Sequence, residues 1–319
     1  MKKILCVLMS CLLFVVAGCS GHSKNLKFGA ADIGGVYYSF ASTFTQLADK
    51  EIDGYTFETK TTAGSVANLR LISDGYIDLA IAQADLLSDA YNATGTFADK
   101  KYQKGYKAVA SLYTECCQIV VRKDSGITGI DDLINKTVSV GASESGSEKN
   151  AEQILKMSGI TDELINKVNM DYTEAAEKLK AGEIDAFFCT AGTRTEVIGQ
   201  LSKECDICLI SLDDKCIDKM LSAYSLCEKY TIPAGTYNGQ DSDVTTIGVK
   251  AVLIAKQSLS DDVIKNVTKT IYEHADDFKY ATSLDISFDI NTAADGVDIP
   301  FHSGAAAYYT ERGINVLTE

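Results

Sequence analysis

Four short runs carry the groups that could hold a ligand. They are Asp32-Ile33-Gly34-Gly35-Val36-Tyr37-Tyr38, Thr61-Thr62-Ala63-Gly64-Ser65, Gly141-Ala142-Ser143-Glu144-Ser145-Gly146-Ser147 and Thr190-Ala191-Gly192-Thr193. Each mixes glycine with hydroxyl or acidic residues at the end of a strand. Glycine lets a ligand approach the main chain, and the first turn of a helix presents N–H groups with no intrahelical acceptor. The chemistry on offer is anion binding by backbone amides, at about 0.3–1 kcal/mol per terminus and up to about 2 when partly buried. One such run alone is ordinary helix capping; its recurrence in both halves of the chain is what points to a site. The expected contacts are Gly35, Gly64, Ser65, Ser145, Gly146, Ser147, Thr190, Ala191 and Gly192. Tyr37 and Tyr38 stand at a helix start, where one stacks on or hydrogen-bonds the ligand and the other enters the core. Gln83 and Asp85 flank a strand end where an amino group or second polar end can be read, Asp85 serving equally well as a helix cap. Tyr224 suits a cleft edge, offering both a ring and a hydroxyl.

Other chemistries find little support. Three histidines (His22, His274 and His302) are too few for a multi-His metal site, and none is paired with a nucleophile, so neither an enzyme nor a cofactor or metal is expected. Arg122 is a carboxylate clamp by chemistry, but its place between an apolar strand and a turn favours a structural ion pair. Cys205-x-x-Cys208 is only half a metal or redox motif. Setting aside Cys6, Cys11 and Cys19, seven cysteines remain, an odd number that cannot close completely into disulfides.

The elements that must position these groups alternate. Leu26–Ala30, Thr56–Thr61, Ile77–Ala82, Thr137–Val140, Lys167–Asp171 and Ile184–Cys189 read as strands. Val36–Lys50, Val66–Ser73, Asp85–Ala93, Glu148–Met157 and Glu174–Lys180 read as helices between them. Such alternation implies parallel βαβ units and an α/β class, with ligands beyond the carboxyl ends of the strands. Asp74–Asp85 parallels Ala181–Gly192: a Gly, then Ile-Asp, an apolar strand and small or polar residues, about 107 positions apart. The repeat predicts two lobes of similar build. Residues 26–114 with 234–319 form lobe 1 and residues 115–232 form lobe 2. Asp261–Tyr280 is expected to be one long amphipathic helix on lobe 1, after a strand at Thr245–Lys256.

The 319 residues carry a formal charge of −14, or −16 without the two lysines of the leader. A surface this acidic argues against nucleic acid or anionic lipid as a partner. It does not oppose an anionic ligand in a cleft, because charges beyond the ~8 Å Debye length are largely screened. Met1-Lys2-Lys3 followed by apolar Ile4–Ala17 reads as an export signal over residues 1–18, too short for a membrane span. Val16-Ala17-Gly18-Cys19 resembles a lipobox, which makes Cys19 the expected acylation site and residues 19–25 a tether to a bacterial membrane.

Several runs together carry a family resemblance. Gly34-Gly35-Val36-Tyr37-Tyr38, Thr62–Leu71, Ile77–Asp85, Thr231-Ile232-Pro233-Ala234-Gly235-Thr236-Tyr237 and Ile299–Ala305 resemble, in the same order, the TAXI family of extracytoplasmic solute receptors of TRAP transporters. The resemblance spans Leu26 to Asn315. It implies a two-lobe periplasmic-binding-protein fold of type II-like build, each lobe a mostly parallel sheet flanked by helices, with hinge strands between. It further implies a monomeric receptor that closes on a small organic anion (an amino acid such as glutamate, a keto acid or a dicarboxylate) and delivers it to an ion-gradient-driven permease. Arg194 stands where the family commonly has proline, so ligand identity does not carry over. The alternatives are a receptor for an ATP-driven importer, an exported enzyme on the same fold, and a sensory or adhesive lipoprotein.

Overall fold

The computed structural model describes residues 23–99, 105–282 and 288–319. The leader, Cys19 and the first residues of the tether lie outside them. In the first lobe the chain runs β1 (Lys24–Gly29), α1 (Val36–Glu51), β2 (Tyr55–Lys60), α2 (Ser65–Ser73), β3 (Leu79–Gln83) and α3 (Ala84–Asn92). It then crosses on β4 (Tyr106–Arg122), a 17-residue strand buried along most of its length. The second lobe follows as β5 (Thr137–Ser139), α4 (Gly146–Met157), β6 (Asn166–Val168), α5 (Tyr172–Ala181), β7 (Ala186–Ala191), α6 (Glu196–Glu204), β8 (Ile207–Leu209), α7 (Asp214–Ala223) and β9 (Cys227–Ile232). The chain returns on β10 (Val244–Lys256) and ends with α8 (Asp261–Glu273), α9 (Ala275–Thr282) and α10 (Ser303–Thr310).

The two lobes repeat one strand order. Lobe 1 is ordered β2-β1-β3-β10-β4 and lobe 2 is ordered β6-β5-β7-β4-β8, with the fourth strand antiparallel in each. That strand is supplied by a crossing element: β4 stands in both orders, and β10 reaches lobe 2 by pairing antiparallel with β9. Their crossing lies where Thr114, Glu115 and Cys116 face Lys250, Val249 and Gly248. A side chain at Gly248 would put its Cβ 2.7 Å from Thr114 Cγ2, so only glycine fits there. Each lobe has its own apolar interior. Phe28, Phe40, Leu69, Ile254 and Ile271 belong to the first; Ile119, Val138, Phe188 and Ile217 to one face of the second, and Phe187, Leu179 and Ile198 to the other.

The repeated Ile-Asp has a structural cause. Asp78 gives its N–H to Lys27 O at 2.8 Å and accepts Lys27 N at 2.9 Å through Oδ2. Asp185 does the same with Thr137 O and N, both at 2.8 Å. In each lobe the aspartate thus pins the turn before the third strand to the start of the first.

Two expectations are corrected. The helix expected over 261–280 is interrupted at His274, whose Nδ1 pairs with Asp277 at 2.9 Å and whose Nε2 reaches Glu51 of α1 at 2.5 Å. The segment after residue 233, expected in lobe 1, first packs on lobe 2. Tyr237 lies in the second lobe's core, donates its hydroxyl to Gln118 Oε1 at 2.6 Å and accepts Thr195 N at 3.1 Å. The return to lobe 1 therefore takes place within β10.

Candidate functional site

Between the lobes lies a cavity, partly open to solvent, lined by residues of both. Four helices begin at it: α1 and α2 from lobe 1 and α4 and α5 from lobe 2, the last giving its first N–H, that of Tyr172, to Asp32. Residues of the first turns of the other three (Val36 and Tyr37, Ser65, and Gly146 and Ser147) line the wall, together with Gly35, Gly64 and Ser145 just before them. Among the described residues, the main-chain N–H groups of Val36, Tyr37, Ser65, Val66, Gly146 and Ser147 have no acceptor in the protein, as the geometry of a first turn dictates.

Side chains fix these termini to the strands. Ser65 Oγ accepts the N–H of Gln83 at 3.1 Å, and Ser147 Oγ accepts that of Thr190 at 2.8 Å. Ser147 Oγ also meets the Tyr172 hydroxyl at 2.6 Å, and that hydroxyl donates to Thr190 O at 2.9 Å. Ser145 caps α4 by accepting Glu148 N at 3.0 Å. Both Ser65 and Ser147 are thus held by the scaffold, leaving their peptide N–H groups to face the cavity.

The lobes are closed on one another. Arg70 Nε and Nη2 on α2 donate to the two Glu144 carboxylate oxygens of lobe 2 at 3.1 and 2.6 Å. Ala67 N on the same helix donates to Glu144 O at 3.1 Å. Glu144 makes both contacts from a left-handed backbone (φ +64). On the opposite rim, Tyr172 N at the start of α5 donates to Asp32 Oδ2 at 3.3 Å.

Of the expected contacts, the structure gathers Gly35, Tyr37, Gly64, Ser65, Gln83, Ser145, Gly146, Ser147, Thr190 and Ala191 around this cavity. It does not bring Tyr38, Asp85, Gly192 or Tyr224 to it. Tyr38 is partly buried against the first core and does not line the cavity, while Tyr37, 5% exposed, belongs to that core and also reaches the lining. Asp85 is buried in the first turn of α3, where burial pushes its carboxyl up to about 6. Gly192 spends its carbonyl on the Thr195 hydroxyl at 2.8 Å, and Tyr224 packs on the second core. Arg122 lies away from the cavity and donates to Leu179 O and Ile184 O at 2.9 and 3.2 Å. Arg194 is exposed, with left-handed backbone (φ +71).

Sequence reasoning placed Asp32 in a ligand-holding run without giving it a contact, and missed Asp171 and above all Glu115 in the lining. Glu115 sits on β4 at the crossing, is 3% exposed, and accepts the Tyr37 hydroxyl at 2.7 Å. Burial pushes its carboxyl up to about 8 and pushes the Tyr37 hydroxyl well above its ordinary value, so both are neutral at pH 7. A lone acid inside the apolar-looking run 106–122 was the available signal. The lining contains neither lysine nor arginine.

A family model described as the NMT1-like family matches residues 28–313, nearly the whole chain. The chain belongs to the NMT1-like family. Among solved structures, this NMT1-like chain resembles a protein of Bordetella bronchiseptica RB50 at a TM-score of 0.53, with 17% identity over 82% of this chain and 76% of that one. It resembles a putative L-cystine ABC transporter protein of Listeria monocytogenes at 0.52, with 14% identity over 82% and 94%. It also resembles an ancestral arginine-binding protein bound to arginine at 0.50, with 16% identity over 81% and 98%. At these identities the likeness is one of fold, and the fold is that of periplasmic binding proteins: two α/β lobes joined by crossing strands around a cleft.

Proposed function

We propose that the protein is an extracytoplasmic receptor that captures a small organic acid between its lobes and presents it to a membrane transporter. The observation that carries this reading is the ring of acceptor-free peptide N–H groups on α1, α2 and α4, drawn from both lobes onto one cavity. Such a ring holds a carboxylate without any arginine. A ligand spanning it favours the closed arrangement, because differential contact with the two states is what shifts their populations. Amino acids, keto acids and dicarboxylates form the candidate class. The protein acts as a binder, not an enzyme, and as a monomer. It is tethered outside the cytoplasm through acylated Cys19, and among the described residues no helix is long and apolar enough to cross a membrane.

The neighbour from Listeria monocytogenes, named as an ABC transporter protein, supports an ATP-driven importer as the partner, ahead of the TRAP permease that the motif resemblance implies. A thermal-shift screen of the mature chain against amino, 2-oxo and dicarboxylic acids tests the receptor reading, since a bound ligand raises apparent stability by mass action. A shift of several degrees with one class is expected, and no shift with any overturns it. Uptake that continues in vesicles given an ion gradient but no ATP overturns the choice of importer.

A further inference from the structure

The cavity is asymmetric in what it offers. Peptide N–H groups of three helices supply donors, and a carboxylate satisfies them. Opposite in kind are two buried acceptors. Glu115 carries its carboxyl into the lining from β4, and Gln83, 1% exposed, brings an Oε1 that has no hydrogen-bond partner. The Gln83 amide also touches the Glu115 carboxyl, so the two acceptors are neighbours. A carbonyl oxygen left bare inside a protein is costly unless a donor arrives. An ammonium brings three donors and no acceptor, and suits such a pair.

We propose that Glu115, with Gln83 beside it, receives the ammonium of an amino acid whose carboxylate lies on the helix termini, and that Glu115 gives up its proton to solvent when the ammonium arrives. The inference rests on the reading of this cavity as a solute site. The groups facing Glu115 make the exchange workable. Tyr37 from α1 donates to Oε2; Tyr113 and Cys116 from β4, Tyr172 from α5 and Cys189 from β7 are all held neutral by burial. The charged neighbours are acids: Asp85 of α3 behind it, and Asp32 and Asp171 on the cavity wall. Without a ligand, burial keeps the proton on Glu115 up to about pH 8. A ligand ammonium is the one nearby cation, and its attraction favours the ionised form. A 2-oxo acid lacks that cation and leaves Glu115 protonated.

Calorimetry on the mature chain at pH 6, 7 and 8 tests this, in phosphate and in Tris, with the twenty standard amino acids and their 2-oxo counterparts as probes. For an amino acid that binds, the enthalpy should differ between buffers by close to one released proton at pH 7. Its affinity should weaken about tenfold or more from pH 8 to pH 6. Glu115→Gln should abolish the proton release and weaken that amino acid at least about 30-fold, with an unchanged circular dichroism spectrum. Amino-acid binding with no buffer dependence, or unimpaired in Glu115→Gln, overturns the inference. Binding of 2-oxo acids alone overturns it as well but leaves the receptor reading standing, whereas silence from both classes removes that reading too.

Discussion

At the scale of single residues, the site depends on groups that touch across the cleft. Gly146 of lobe 2 faces Gln83 of lobe 1 so closely that a Cβ would stand 2.4 Å from Oε1 and 2.5 Å from Cδ. Gln83 is buried but its amide end lines the cavity, so turning that amide out of its place or moving the lobes apart relieves the clash. Gly146→Ala is therefore expected to fold with nearly unchanged thermal stability and to lose ligand-induced stabilisation, with affinity down at least about 100-fold; differential scanning fluorimetry with and without ligand checks both. Ser147→Ala acts differently, because it strips the acceptor from Thr190 N inside lobe 2 and should cost about 1–3 kcal/mol in urea unfolding. Glu115 makes a third prediction through pH. Its carboxyl is raised to about 8 in the folded chain against about 4.3 unfolded, so the native state binds more protons between those values. Its contribution is thus most favourable at low pH and is lost as pH rises from about 4.3 through 8. The stability of Glu115→Gln relative to wild type should accordingly be higher at pH 8 than at pH 5, read as the difference in urea midpoints.

At the scale of elements, the termini of α1, α2 and α4 were legible because glycine and serine before an apolar helical period carry a local physical signal. The strand alternation and the Ile-Asp repeat were legible for the same reason: Asp78 and Asp185 bond to strand starts that the same lobe supplies. What stayed hidden depends on contacts between distant segments. The lobe boundary at 114/115 was legible, but nothing local in Glu115 tells that its carboxyl meets the Tyr37 hydroxyl in the cleft, nor that Tyr37 rather than Tyr38 reaches the lining. The break at His274 coincides with a contact to Glu51, more than 200 residues earlier. The same long-range logic governs the contact between α2 and the loop before α4. Arg70 holds Glu144 through two hydrogen bonds while both side chains are about a third exposed, so screening limits the pair to about 1 kcal/mol. Arg70→Ala should leave the ligand's contacts intact yet weaken apparent affinity about fivefold, almost wholly through faster dissociation in stopped-flow chase experiments. An unchanged dissociation rate would show that this ion pair does not help hold the lobes together.

At the scale of the whole molecule, two separately packed cores share only β4 and β10 as continuous strands, and their crossing is narrow where Gly248 lies against Thr114. A joint of this kind lets each core move as a body, since bending is confined to a few backbone dihedrals while the packed interiors stay intact. Beside the packing of Gly34 on Val197 of α6, the polar contacts that oppose opening include the Arg70–Glu144 pair, Ala67 N on Glu144 O, and Tyr172 N on Asp32. Each is a surface or half-buried polar contact of about 1 kcal/mol, against which opening gains hydration for the acids Asp32, Glu115 and Asp171 and for the bare amides of three helices. A bound acid that satisfies the amides favours the closed arrangement. Small-angle scattering of the mature chain should show a larger radius of gyration without ligand than with a saturating one, the saturated value matching the closed structure. Arg70→Ala should reach the same compact value only at higher ligand concentration, and Gly146→Ala should stay expanded throughout. Identical scattering with and without a tight-binding ligand would mean that the lobes are locked, and that the hinge at Gly248 is a packing solution rather than a moving part.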